Sequence, residues 1–285
     1  MTARSPSRSR SATEARRRPH PNRALGAQWL RFLATLLVTA IAVAPIAVVV
    51  YHSLTPAFPL GARGLTLENF PILFHTRFVL WLRNSALVTL VVVVAVVALA
   101  APAGYVLSRG RGALVSGFSL TLFVLQSLPV VVALIPLFFL FARIGLVDNL
   151  AGVTAIYVGL TTSAATWMMG SYYDSIPIEL EEAAWVDGAG VFGGFVRVVL
   201  RNSLPGLLST ATFTFLTAWN DYLVVLVFIR SQGNYTLPLG LQLYGPSGGL
   251  GSAYAVVMML PPVIIFVALN RYFSFGGIGG SLAGR

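Results

Sequence analysis

Between Arg31 and Arg63 the chain carries no Asp, Glu, Lys or Arg, and comparable stretches recur five more times before the end. This recurrence constrains the fold more than any other feature. The hydrocarbon core of a bilayer takes about 20 mostly apolar residues to cross as a helix. No water is there to satisfy the backbone, so such a stretch crosses as a helix with its amides bonded internally. The qualifying runs are 29–51, 84–107, 117–142, 150–171, 205–229 and 253–270, and only the fifth holds a carboxylate, Asp221. Mean hydropathy is +0.81 and charged residues make up 10%, against about 25% in a soluble domain. The expectation is an all-α integral membrane protein with six transmembrane helices. The first run also has the basic start and Ala42-Val43-Ala44 site of a signal peptide. Its apolar length is about twice the usual signal core, and it reads as an uncleaved span.

What the chain lacks narrows its chemistry. It has no cysteine, so disulfides, thiolate metal sites and cysteine nucleophiles are excluded. All nineteen basic residues are arginine. That excludes a Walker A loop and a Schiff-base lysine, so nucleotide chemistry has to sit on another chain. His20, His52 and His75 show no metal-ligand spacing, and no catalytic constellation is visible. The expectation is a non-enzyme with no cofactor and no metal.

The net charge of +10 is concentrated at one end, where Arg4, Arg8, Arg10, Arg16, Arg17, Arg18 and Arg23 precede residue 25. Residues 1–28 read as a disordered Arg/Ser-rich tail that fixes topology, with RNA or anionic lipid as the other reading. With this end inside, the inner segments add Arg31, Arg109, Arg111, Arg197, Arg201, Arg271 and Arg285. The outer segments hold Arg63, Arg77, Arg83, Arg143 and Arg230. The positive-inside rule then puts both termini in the cytoplasm. The six-helix domain would run over 29–275, with a Gly-rich cytoplasmic tail at 276–285.

The longest inner loop, 172–203 between the fourth and fifth spans, contains SIPIELEEAAWVDGAG from Ser175 and five of the nine acidic residues. Ser175 is the expected N-cap, with Pro177 in the first turn. Glu179, Glu181 and Glu182 favour the positive end of the helix dipole. Gly188 and Gly190 would end this helix, and a second one would run from Val191 to about Leu200. Small Ala183, Ala184 and Gly188 let another surface approach. Glu182 and Asp187 can accept hydrogen bonds from a partner's cations. The alternative is a helix packed on its own bundle. In the fifth span, Trp219, Asn220 and Asp221 offer an aromatic face and polar groups suited to a sugar, or else hydrogen bonds to neighbouring helices. Pro129, Pro136, Pro261 and Pro262 are expected to kink their helices.

Glu182-Ala183-Ala184, three residues, then Gly188 resembles the EAA signature of permease subunits of ATP-binding-cassette importers. SIPIELEEAAWVDGAG is similar to the carbohydrate-importer version. Similar segments follow the family in order: GLTLENF from Gly64, NSALVT from Asn84, AGYVLSRGRG from Ala103, IPLFFLFARIGLVDN from Ile135, AWNDYL from Ala218, TLPLGL from Thr236 and ALNRYFSFGGIGG from Ala268. Leu200-Arg201 stands where the family has leucine-proline. The resemblance implies a permease of the bacterial cytoplasmic (inner) membrane for a sugar or sugar derivative. It implies a second permease subunit, an ATPase dimer and an extracytoplasmic solute-binding protein as partners, with membrane lipid around the chain and no nucleic acid. Glu182, Ala183, Ala184, Asp187 and Gly188 would couple to the ATPase, and Trp219, Asn220 and Asp221 would line the substrate path. A permease for a polyamine or phosphate ester, or a self-sufficient secondary transporter, remains the alternative.

Overall fold

A computed structural model describes residues 21–56, 64–245 and 248–276, with side chains described except in 21–27 and 271–276. Of the tails expected at 1–28 and 276–285, residues 1–20 and 277–285 lie outside the described residues, while 21–28 belong to the first helix and Gly276 to the last. No strand occurs among the described residues. In chain order the helices are α1 (Pro21–Ser53), α2 (Asn69–Phe74), α3 (Phe78–Arg109), α4 (Ala113–Ser127), α5 (Val130–Arg143), α6 (Leu150–Asp174), α7 (Glu179–Val186), α8 (Val191–Gly194), α9 (Leu200–Asn202), α10 (Leu204–Asn220), α11 (Leu223–Phe228), α12 (Leu237–Leu241) and α13 (Gly249–Gly276). A π-helical turn, Phe195–Val199, joins α8 to α9.

The chain divides into two compact units, 1–48 and 49–285. In the first, α1 presents exposed apolar side chains from Trp29 to Val48. Its hydroxyls bond back along the helix, Thr35 to the Arg31 carbonyl and Thr39 to the Thr35 carbonyl.

In the second unit the core is a seam between α3 and α6. On α3, Val88, Val92, Val96 and Ala100 recur every four residues and are buried. On α6, Val153, Tyr157, Thr161, Ala165, Met169 and Tyr173 repeat the same interval. Positions four apart form one ridge on a helix, and two such ridges interlock. The backbones approach closely at Gly104, where a Cβ would lie 2.7 Å from Met169 Cβ and 2.8 Å from the Gly170 nitrogen. Small residues allow this approach, as they do between helices in lipid.

Three stretches are long and apolar enough to cross a membrane alone: Gln28–Ser53, Phe78–Arg109 and Gly249–Asn270. The 117–142 run, expected as one span, is two helices bent by 97°. Leu128 is extended at φ −72°, ψ 124°, as a residue preceding proline prefers, and Pro129 opens α5. Pro136 stays inside α5, and Pro261 and Pro262 stay inside α13. The 205–229 run also breaks, at Asp221 (φ −72°, ψ 129°), between α10 and α11. α6 is 25 residues long, but its hydroxyls and glycines lower its apolarity. Thr161 and Thr166 satisfy their hydroxyls on the Tyr157 and Thr162 carbonyls.

At the start of α3, Trp81 Nε1 donates to the Gln232 carbonyl at 2.7 Å. Asn84 Nδ2 donates to the Gly233 and Tyr235 carbonyls at 2.9 Å each, and Ser85 Oγ accepts the Leu237 N–H at 2.7 Å. Asp148 clamps the same segment. Its Oδ1 accepts the N–H groups of Arg230 and Ser231 and the Ser231 hydroxyl. The 230–237 segment is thus fastened to one end of the α3–α6 pair. The 175–203 loop is fastened to the other end of α3, about 38 Å along the axis from Asn84 to Arg109 at 1.5 Å per residue.

Candidate functional site

The loop that joins α6 to α10 starts differently from its expected course. Ser175 caps the C-terminus of α6, its hydroxyl bonded to the Tyr172 carbonyl at 2.6 Å, and is not the N-cap of α7. The helix begins at Glu179, past Pro177, with no side-chain cap. Ile176 precedes a proline, which disfavours helical backbone there, and it is buried. Its carbonyl is taken by Arg109 Nη2 at 2.8 Å. Glu179, Glu181 and Glu182 occupy the first turn of α7 as expected.

The C-terminus of α7 is a Schellman motif. The Gly188 N–H donates to the Trp185 carbonyl at 3.0 Å, and the Ala189 N–H to the Ala184 carbonyl at 2.9 Å. Gly188 has φ +88°, which requires glycine, so its spacing from Ala184 serves chain reversal. Gly190 is extended and leads into α8. The expected second helix is α8, the π-helical turn and α9 in series. Within it Phe195 is buried, its ring 4.7 Å from Tyr105 and 6.3 Å from Tyr173.

Adjacent glutamates part company on α7. Glu181 is fully buried: Oε1 accepts from Arg109 Nε and Oε2 from the Tyr105 hydroxyl, both at 2.8 Å. Ser108 Oγ donates to Asp174 Oδ1 at 2.5 Å. Glu182, Ala183, Asp187 and Gly188 are exposed and Ala184 is half-buried. Beside them Val186 is 88% exposed and Phe192 78%, with Ile178, Leu180 and Val191 also exposed. Acidic and apolar groups therefore share an uncovered surface, the kind that marks an interaction site. Arg109, Tyr105, Ser108 and Asp174 escaped the sequence reading. For the three on α3 the signal lay in AGYVLSRGRG, where Tyr105 and Arg109 are four apart on one helix face.

At the α10–α11 break, Asp221 is half-buried. Its Oδ1 accepts from the Tyr157 hydroxyl on α6 and from the Val224 N–H, both at 2.9 Å. The second bond satisfies an otherwise free amide in the first turn of α11. Asn220 is exposed, its amide donating to the Leu216 carbonyl. Trp219 points into packing, 3% exposed, stacked on Phe215 at 5.3 Å and bonded through Nε1 to the Met258 carbonyl. The three residues adjoin in sequence, but Trp219 is buried in packing while Asn220 is exposed. Near it, the Tyr222 hydroxyl donates to Gln242 Oε1.

With this geometry established, similarities to known proteins bear on it. The family description "Binding-protein-dependent transport system inner membrane component" matches residues 100–275. The maltodextrin transport system permease protein MdxG of Bacillus subtilis is 33% identical over 235 residues, 80% of this chain and 84% of that protein. The arabinooligosaccharides transport system permease protein AraQ of Halalkalibacterium halodurans is 29% identical over 275 residues, 90% of this chain and 96% of that protein. A crystal structure of a bacterial ABC transporter involved in import of the acidic polysaccharide alginate contains a chain with the same fold. Its TM-score is 0.73 at 21% identity, covering 94% of this chain and all of that one.

Proposed function

Because the chain belongs to the binding-protein-dependent transport system inner membrane component family, we propose that it is the transmembrane permease of an ATP-driven importer for a sugar or sugar derivative. It is a transport component and not an enzyme. The observation that carries the choice of solute class is the extent of similarity to permeases named for oligosaccharides, which covers 80% and 90% of the chain. In this reading six spans cross the inner membrane. They are α1, α3, the α4–α5 pair, α6, α10 with α11, and α13, with both termini in the cytoplasm.

The 175–203 loop then faces the cytoplasm and the segment fastened by Asn84 and Asp148 faces outward. Their separation of about 38 Å along α3 suits a bilayer core of about 30 Å. Glu182, Ala183, Ala184, Asp187 and Gly188, with Val186 and Phe192 around them, dock on a separate ATPase. The carboxylates meet its cations, and the apolar side chains leave water on docking. Gly188 contributes by turning the chain sharply enough to expose α7. A second permease subunit completes the membrane unit, and an extracytoplasmic binding protein delivers the solute. Asn220 and Asp221 border the substrate path at a broken helix, and Trp219 shapes its wall. Open backbone at membrane depth is tolerated where it lines a cavity.

Charge reversal tests the docking surface. Glu182→Lys puts a cation against the ATPase's cations, and like charges across an interface cost several kcal/mol. Copurification of the ATPase should fall at least about ten-fold, because each 1.4 kcal/mol is a factor of ten. Unchanged copurification would remove Glu182 from the interface.

A further inference from the structure

We propose that Glu181, Arg109 and Tyr105 form a latch that makes α7 and the inner end of α3 one moving body, so that motion imposed on the loop is passed directly to α3. This rests on the coupling role proposed for the 175–203 loop, and goes beyond it by naming how the loop grips the membrane domain.

Both oxygens of Glu181 are used, one by Arg109 and one by Tyr105, and the side chain is fully buried. Arg109 also holds the Ile176 carbonyl, and Ser108 holds Asp174. Residues 174–181 are therefore bonded at four points to a single stretch of α3, from Tyr105 to Arg109. These bonds are independent of the docking side chains. Glu182 and Asp187 stay exposed and available to a partner, while Glu181 one residue earlier is turned inward. Separating α7 from α3 would leave a buried carboxylate and a guanidinium without partners. Burial makes that far more costly than breaking a surface ion pair. Moving the two together costs neither bond.

The route from the latch is continuous. The buried stripe of Val88, Val92, Val96 and Ala100 keeps α3 against α6. At its far end Trp81, Asn84 and Ser85 hold residues 232–237. Glu181, Arg109 and Tyr105 are thus positioning residues, acting through α3 and touching no solute.

The test uses the whole reconstituted transporter: this chain, its partner permease, the ATPase subunits and the binding protein. The chain has no cysteine of its own, so Arg83→Cys places a single thiol on the exposed outer end of α3. The readout is the ratio of its labelling rates by a maleimide with and without ATP. An ATP-dependent ratio is expected in the Arg83→Cys background. Adding Glu181→Gln should shrink that ATP effect by about five-fold or more, the lower end of typical site-to-site coupling, while ATPase copurification and hydrolysis persist. Arg109→Lys, which keeps the charge, should restore most of the effect relative to Arg109→Gln. A merely structural role would lower assembly and would not move the ratio in assembled complexes.

An ATP-dependent ratio unchanged by Glu181→Gln overturns the latch, as does the absence of any ATP effect on Arg83→Cys. If Glu181→Gln does not assemble, the double variant Arg109→Gln/Glu181→Gln, which leaves no unpaired buried charge, is read in the same way. Failure of both to assemble makes the pair a folding element and also overturns the latch. If no ATPase copurifies with the unaltered chain, it is the coupling role itself that fails.

Discussion

Replacing Gly104 by alanine puts a methyl group into a close approach of α3 and α6. Its carbon would sit 2.7 Å from Met169 Cβ and 2.8 Å from the Gly170 nitrogen. Neither atom can swing aside, because one is backbone and the other is fixed to it. The shortfall from ordinary contact is about 0.7 Å, and a gap of that size along a packed seam forfeits about a quarter to a half of the dispersion energy. The seam in question is the buried stripe from Val88 to Ala100 facing Val153 to Tyr173. Overpacking of this kind costs about 1–3 kcal/mol. For a domain of this size that lowers the melting temperature by about 2–12 °C. Gly117→Ala is the control. Gly117 lies in α4 with nothing within 4 Å of its added carbon, and helix propensity there favours alanine by about 0.5–1 kcal/mol. The assay is thermal unfolding of both purified variants in the same detergent. If Gly104→Ala melts together with Gly117→Ala, the α3–α6 approach is not close and the account of the core is wrong.

Two further outcomes follow from the same geometry. Burial of Asp148 alone would raise its affinity for a proton, but the N–H groups of Arg230 and Ser231, the Ser231 hydroxyl and the Asn234 amide together outweigh this and hold its carboxyl below the usual carboxylate range. A carboxyl depressed by folding stabilises above its unfolded value near 3.9 and loses that contribution as pH falls through the folded value. Asp148→Ala should therefore raise proteolysis of the 230–237 segment at neutral pH, and its difference from the unaltered chain should shrink below about pH 4; a difference that persists there would refute the clamp. Asp221→Asn keeps an oxygen for Tyr157 and Val224, so assembly should be unchanged while sugar uptake falls if the carboxylate meets the solute. Full uptake by this variant would take Asp221 off the substrate path.

The long apolar runs were legible because lipid imposes a simple rule: about twenty apolar residues, with every amide bonded inside the segment. Their interruptions were less legible. Pro129 announced a disturbance, but whether a proline ends a helix or is carried within it depends on what receives the freed groups, and Pro136 lies inside α5 without ending it. The helix break at Asp221 had no proline to mark it. It holds because Tyr157, 64 positions away, and Val224 share the Asp221 carboxylate.

The acidic loop shows the same division at the scale of one residue. Composition placed five carboxylates between two apolar runs, and glycine chemistry placed the turn at Gly188; both are local, and both stand in the folded chain. Glu181 and Glu182 are chemically identical neighbours, and nothing in their order says which is turned inward. On a helix they point about 100° apart, so the choice belongs to whatever packs beside α7. That neighbour is Arg109, 72 positions earlier in the chain, delivered by the packing of α3 against α6. Hydropathy and turn signals act over a few residues and can be read in order. The pairing of a buried charge depends on which distant helix end arrives beside it, which is settled only once the bundle has closed.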